Sequence, residues 1–98
     1  MRKAEKSWLD AVTQLGCIVC WLFHGVFSPA EVHHLLQCGR RLGHLFSIPL
    51  CFLHHRSGRD DEEVVSRDHN QKRFEARYGT EQSLLEKTKA LVEQRRAA

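Results

Sequence analysis

Apolar and polar positions along the chain predict its elements in turn. Over residues 3–15, Ala4, Trp8, Ala11, Val12 and Leu15 recur at the spacing of a helix's buried stripe, and Gly16 follows where a helix C-terminus favours glycine. Residues 17–27 show no such period. They hold Cys17-Ile18-Val19-Cys20 and Gly25, and the expectation is a short turn-like segment. Ser28-Pro29 favours extended chain, and Ala30–Leu36, with β-branched Val32, predicts a strand. Gln37–Gly43 holds two glycines and two arginines and predicts a loop. Leu45–Leu50 predicts a second strand, confined by Pro49 to an edge or an end. A short helix from Cys51 stops before Gly58, and the polar stretch Arg59–Arg67 predicts a loop. Asn70–Tyr78 predicts a helix closed by Gly79. Thr80 then caps a last helix whose stripe is Leu84, Thr88, Leu91, Val92 and Arg95. The order is helix, knuckle, strand, loop, strand and three helices, an α+β chain without internal repeats.

Length sharpens this picture. A chain of 98 residues predicts one domain over 1–98. Such a chain buries a modest share of its surface, and two Trp, one Tyr and five Phe make a small core. Domains of this size are often stapled by a metal or by disulfides. The charged start Met1–Lys6 leads into no apolar run, and no stretch approaches the roughly 20 apolar residues of a membrane span. The expectation is a soluble, intracellular protein, in which four cysteines serve as metal ligands or free thiols. The net charge of +3 permits nucleic-acid binding without establishing it.

Candidate chemistry concentrates in Glu31–Arg56 and the cysteine pair upstream. Cys17-x-x-Cys20 places two thiolates on one knuckle, and Cys51-x-x-His54 offers a matching pair. Together they make the four ligands of a closed tetrahedral zinc site. Zinc in such a site contributes about 10–16 kcal/mol of apparent binding energy, coupled to folding. Cys17, Cys20, Cys38 and Cys51 form a competing set. The paired spacing favours His54 and leaves Cys38 a free cysteine beside Gly39 in a loop. A plainer alternative is that these are buried, inert cysteines. His24, near the first knuckle, is expected at the surface or behind a ligand.

His33, His34, His44, His55 and His69 remain, more than a zinc knuckle needs. Neighbours on a strand point to opposite faces, so His33 and His34 need not share a role. Histidine suits a base that activates water, a cation stabilises the charge that develops during phosphodiester hydrolysis, and Arg40, Arg41, Arg56 and Arg59 are suited to hold neighbouring phosphates.

Glu31-Val32-His33-His34-Leu35, followed by Ile48-Pro49-Leu50-Cys51-x-x-His54-His55-Arg56, resembles the HNH (ββα-metal) endonuclease motif, with the core motif over about 17–79. Gly43-His44-Leu45-Phe46, Phe74, Tyr78-Gly79 and Leu84-Leu85 make it similar to the phage Ref family of recombination-enhancement nucleases, which depend on RecA. The resemblance implies an HNH-type ββα-metal core flanked by N- and C-terminal helices, stapled by zinc. It implies a metal-dependent DNA endonuclease acting with RecA filaments in the cytoplasm of a bacterial host. His33 and His55 would ligate a catalytic Mg, Mn or Zn, and His34 would be the general base. His44 would take the orienting place often held by Asn or Asp. Where many such nucleases carry a further ligand this chain has Arg59, which cannot bind a cation, and His69 is the nearest remaining candidate. Without an evident base-reading helix, little sequence specificity is expected. The competing reading is a non-catalytic zinc module that binds nucleic acid or a partner protein.

Overall fold

The computed structural model describes residues 1–97. Helix α1 (Lys3–Leu15) buries Trp8 and Val12. It ends at Gly16 for two reasons. The backbone there has φ +83°, and an added Cβ would lie 2.7 Å from the Phe27 ring and 2.9 Å from the Ser28 carbonyl oxygen.

The segment expected to be turn-like forms a second helix, α2 (Ile18–His24). The Cys17 Sγ accepts the Cys20 N–H at its start, and Gly25, in the left-handed region at φ 65°, closes it through hydrogen bonds to the carbonyls of Cys20 and Trp21. Periodicity missed this helix because it is apolar all round. Ile18, Val19 and Cys20 are buried, while Trp21, Leu22 and Phe23 are exposed.

Two strands carry the centre of the molecule. Strand β1 (Glu31–His34) is shorter than expected. After it the chain forms a small hairpin, β2 (Leu36–Gln37) and β3 (Arg40–Arg41), where a loop was expected. Cys38 and Gly39 turn this hairpin with φ of 52° and 77°, the two positive values that a tight hairpin turn requires. Strand β4 (Ser47–Leu50) pairs antiparallel with β1, with His33 opposite Ile48 and His34 opposite Ser47. Because this sheet has two strands, β4 keeps one edge without a ladder partner, where Pro49 is tolerated. All four β4 residues are buried.

A one-turn helix, α3 (Phe52–His55), follows directly. Beyond it the chain folds back, with the N–H groups of Arg67 and Asp68 donating to the carbonyls of His54 and His55 at 2.8 and 2.9 Å. Helix α4 (Gln71–Tyr78) is capped by Asn70, whose side chain accepts the Arg73 N–H. Helix α5 (Glu81–Ala97) buries Leu84, Leu85, Thr88 and Val92. Helices α1, α2 and α5 pack against β4, and Ile18, Ile48, Leu50, Phe74 and Leu84 meet in one core. This is the small α+β architecture expected. Among the described residues no helix is long and apolar enough to cross a membrane.

Candidate functional site

Two knuckles converge at the start of α2 and the start of α3. Cys17, Cys20, Cys51 and His54 are all buried, and their ligand atoms lie within 4.8 Å of one another. The Cys51 Sγ is 3.1 Å from His54 Nδ1 and 3.8 Å from the Cys20 Sγ. His54 Nδ1 is 3.7 Å from the Cys20 Sγ and 3.9 Å from the Cys17 Sγ. A tetrahedral zinc with such ligands has edges of roughly 3.5–3.8 Å. Three thiols and one imidazole at these separations fit a structural zinc ion. Within the cluster the thiols divide, one favoured as thiolate and two not. Hydrogen bonding from Cys17, aided by His54, holds the Cys51 thiol down at about 3 against its burial. The bond to Cys51 and then burial push Cys17 up, and burial chiefly raises Cys20. A divalent cation would let all three thiols ionise. Cys38, in the hairpin turn, is exposed and lies outside this group. His24 is exposed, with its ring stacked 6.4 Å from that of His54.

The residue after His54 faces a different cluster. His33, His55 and Asp68 also bring their ligand atoms within 4.8 Å of one another. His33 and Glu31 share one face of β1 because strand side chains alternate. The His33 and His55 rings meet edge to face, with centroids 5.0 Å apart. Asp68 arrives because the backbone bonds to α3 fold the loop back, and its Oδ2 is 3.8 Å from His55 Nε2. His69 is exposed and outside this group; the carboxylate one residue earlier stands there instead. Both rings are braced. His55 Nδ1 is 2.9 Å from the Glu31 carboxylate, and His33 Nε2 bonds to Glu81. Such carboxylate partners fix a ligating ring and raise its basicity. Burial pushes Glu81 up, but bonds from His33 and Arg67 outweigh it and hold the carboxyl below its usual range. The Arg56 guanidinium, then His55, holds Glu31 low. Two imidazoles and a carboxylate make a donor set that suits a divalent cation.

His34 sits on the other face of β1. Its Nε2 is 3.1 Å from His44 Nδ1. Burial, followed by the nearby Arg41, lowers its pKa from the ordinary histidine value. His44 is fixed by its backbone. Its carbonyl accepts the Ser47 hydroxyl at 2.7 Å, and the Ser47 Oγ accepts the Trp8 indole N–H at 3.0 Å. A shallow cleft of about 290 Å³ is lined by His33, His34, His55 and Asp68, with Arg41 and Arg67 beside them.

A family model described as recombination enhancement, RecA-dependent nuclease matches residues 3–93. The chain belongs to that family. A search of curated proteins finds no match. The match to the RecA-dependent nucleases spans both clusters and the cleft between β1 and the loop before α4.

The four arginines that sequence singled out fall into two kinds in this member of the family. Arg56 forks onto the Glu31 carboxylate, and Arg59 pairs with Asp61 and Glu63. Arg40 and Arg41 project from the exposed hairpin without a carboxylate partner among the described residues. Glu31, Asp68 and Glu81 were missed from the sequence. Glu31 was legible, since it lies two residues before His33 on a strand. Nothing local marks Asp68 or Glu81.

Proposed function

We propose that the chain is a metal-dependent DNA endonuclease of the HNH type, working as one nuclease domain. The observation that carries this reading is the cleft that gathers His33, His55 and Asp68 beside His34. The antiparallel pair β1 and β4 leading into α3 is the ββα order that the resemblance implies. In this reading Cys17, Cys20, Cys51 and His54 hold a structural zinc. His33, His55 and Asp68 hold a divalent Mg, Mn or Zn ion. When bound, that ion supplies charge stabilisation for the phosphate and the leaving 3′-oxygen.

The chain's own residues do the rest. His34 takes a proton from water as it attacks phosphorus and the P–O3′ bond breaks. Its lowered pKa keeps the ring neutral, and so basic, near neutrality. In the tautomer with its proton on Nε2, His34 would donate to His44 Nδ1 and keep its own Nδ1 as the free lone pair. Arg67 is held by Glu81 and Asp68, whereas Arg41, with no carboxylate partner among the described residues, faces the cleft where phosphate oxygens would lie. Contacts of this kind position the backbone and carry little base preference. The family's RecA dependence supports DNA in a RecA filament as the setting, and therefore the bacterial cytoplasm.

The test is single-turnover cleavage of single-stranded, duplex and RecA-coated DNA with Mg²⁺ or Mn²⁺. The parent is expected to cleave with two metals bound per chain. His34→Ala is expected to keep both metals and DNA affinity and to lose about 10²–10⁴ in rate, the range that general-base catalysis supplies. Undiminished cleavage by His34→Ala would remove it as the base. A parent that binds one metal and cleaves nothing, with or without RecA, would instead be a zinc-binding module.

A further inference from the structure

The molecule has a second concentration of unneutralised positive charge, away from the histidine cleft. A groove of about 640 Å³ runs between α1 and the C-terminal part of α5, lined by Lys3, Lys6, Ser7, Gln14, Arg95 and Arg96 among others. Elsewhere many cationic side chains are cancelled, with Arg56, Arg59, Arg67 and Arg73 each paired to a carboxylate. In the groove, Lys3, Arg95 and Arg96 have no carboxylate partner among the described residues, and Asp10 engages Lys6. Neutral acceptors hold the two arginines in place. Arg95 Nη1 donates to the Gln14 carbonyl at 3.3 Å, and Arg96 Nη2 donates to the Ser7 hydroxyl at 3.0 Å. The guanidinium groups are therefore positioned without losing their charge, which lowers the entropy cost of binding an anion.

Position relative to the cleft narrows the ligand. Glu81, at the other end of α5, bonds to His33. At about 1.5 Å per helical residue, Arg96 lies roughly 20 Å along α5 from Glu81. One scissile phosphate cannot meet both places. A duplex rising about 3.4 Å per base pair reaches from one to the other in about six base pairs. We propose that the α1/α5 groove is a second phosphate-backbone site, which holds the DNA duplex several base pairs from the cut. This rests on the nuclease reading for its ligand, but binding tests it separately from cleavage.

The experiment compares the parent with a Lys3→Gln/Arg96→Gln double variant, using a 20-base-pair duplex in a salt titration without added catalytic metal. Each lost phosphate contact lowers the slope of log affinity against log salt by about one. The double variant is expected to lose about two from that slope and about tenfold or more in affinity at low salt. It is expected to keep helix content, zinc content and turnover of bis(p-nitrophenyl) phosphate, which is too small to reach the groove. An unchanged slope and affinity would overturn the proposal. So would an equal fall in helix content and small-substrate turnover, which would place the effect in the fold. Unchanged DNA binding with lost affinity for DNA-free RecA would move the groove to an acidic protein surface and also overturn it. The predicted loss of slope in the double variant, with a parent that cleaves nothing, would leave the groove standing while the nuclease reading fails.

Discussion

Glu31 and Glu81 each take one ring nitrogen of a cleft histidine, and Asp68 approaches His55 at its other nitrogen. At the scale of single residues this makes a direct comparison possible. Asp68→Asn keeps size and removes the charge that would favour a cation. It is expected to weaken binding of the proposed cleft metal by tenfold or more, and added Mn²⁺ should restore part of the cleavage. His69→Ala, at the exposed neighbour, is expected to leave metal affinity within about twofold. Isothermal titration of each variant with Mn²⁺ separates them, and a large loss in His69→Ala alone would return the ligand to that residue. Ser47 offers a second comparison. Ser47→Ala strands the buried Trp8 indole N–H and frees the His44 carbonyl. The expected cost is about 1–3 kcal/mol of stability, the penalty for an unmet buried donor. Chemical denaturation reads it, and an unchanged midpoint would show that the bond contributes nothing.

Helix α3 is the element that joins the two clusters. It is four residues long, too short to be stable alone. His54 turns into the cysteine group while His55, next along, turns into the cleft. Whatever anchors His54 therefore also places His55. Exhaustive chelation is expected to unfold the domain and abolish cleavage together, since the four ligands come from segments more than 30 residues apart. Circular dichroism during chelation is the measurement, and unchanged helix content with unchanged melting would count against a structural zinc. Cys38→Ser, in the exposed turn, is expected to keep both zinc and fold. Loss of zinc in that variant would place Cys38, rather than His54, among the zinc ligands.

Across the whole molecule, charge is arranged unevenly. Arg56 and Arg59 have much of their charge satisfied by Glu31, Asp61 and Glu63, whereas Arg40 and Arg41 extend on the hairpin beside the cleft. DNA affinity is expected to fall steeply with salt. Arg40→Gln/Arg41→Gln should reduce the salt slope by about two, and Arg56→Gln/Arg59→Gln by less. Fluorescence anisotropy across a salt series tests this. A flat profile in the parent would argue against any phosphate-tracking surface, and equal slopes for the two pairs would show that the ion pairs open on binding.

Much of this was readable along the chain because it depends on short spacing. Helices α1, α4 and α5 follow from periodicity and from Gly16, Asn70 and Gly79, which mark their ends. The two x-x ligand pairs announce the cysteine–histidine cluster, since a knuckle needs only neighbouring residues. Alternation on β1 separates His33 from His34. The rest depended on parts of the chain that meet only after folding. Helix α2 has no polar face to mark it, because its apolar residues are divided between the core and an exposed surface. Asp68 joins the cleft through backbone bonds from its loop to the carbonyls of α3. Glu81 reaches His33 across 48 residues because α5 packs on β4. No local pattern encodes such meetings. They are decided by which surfaces bury together, and the acids that brace the histidines are carried there by the packing of the elements that bear them.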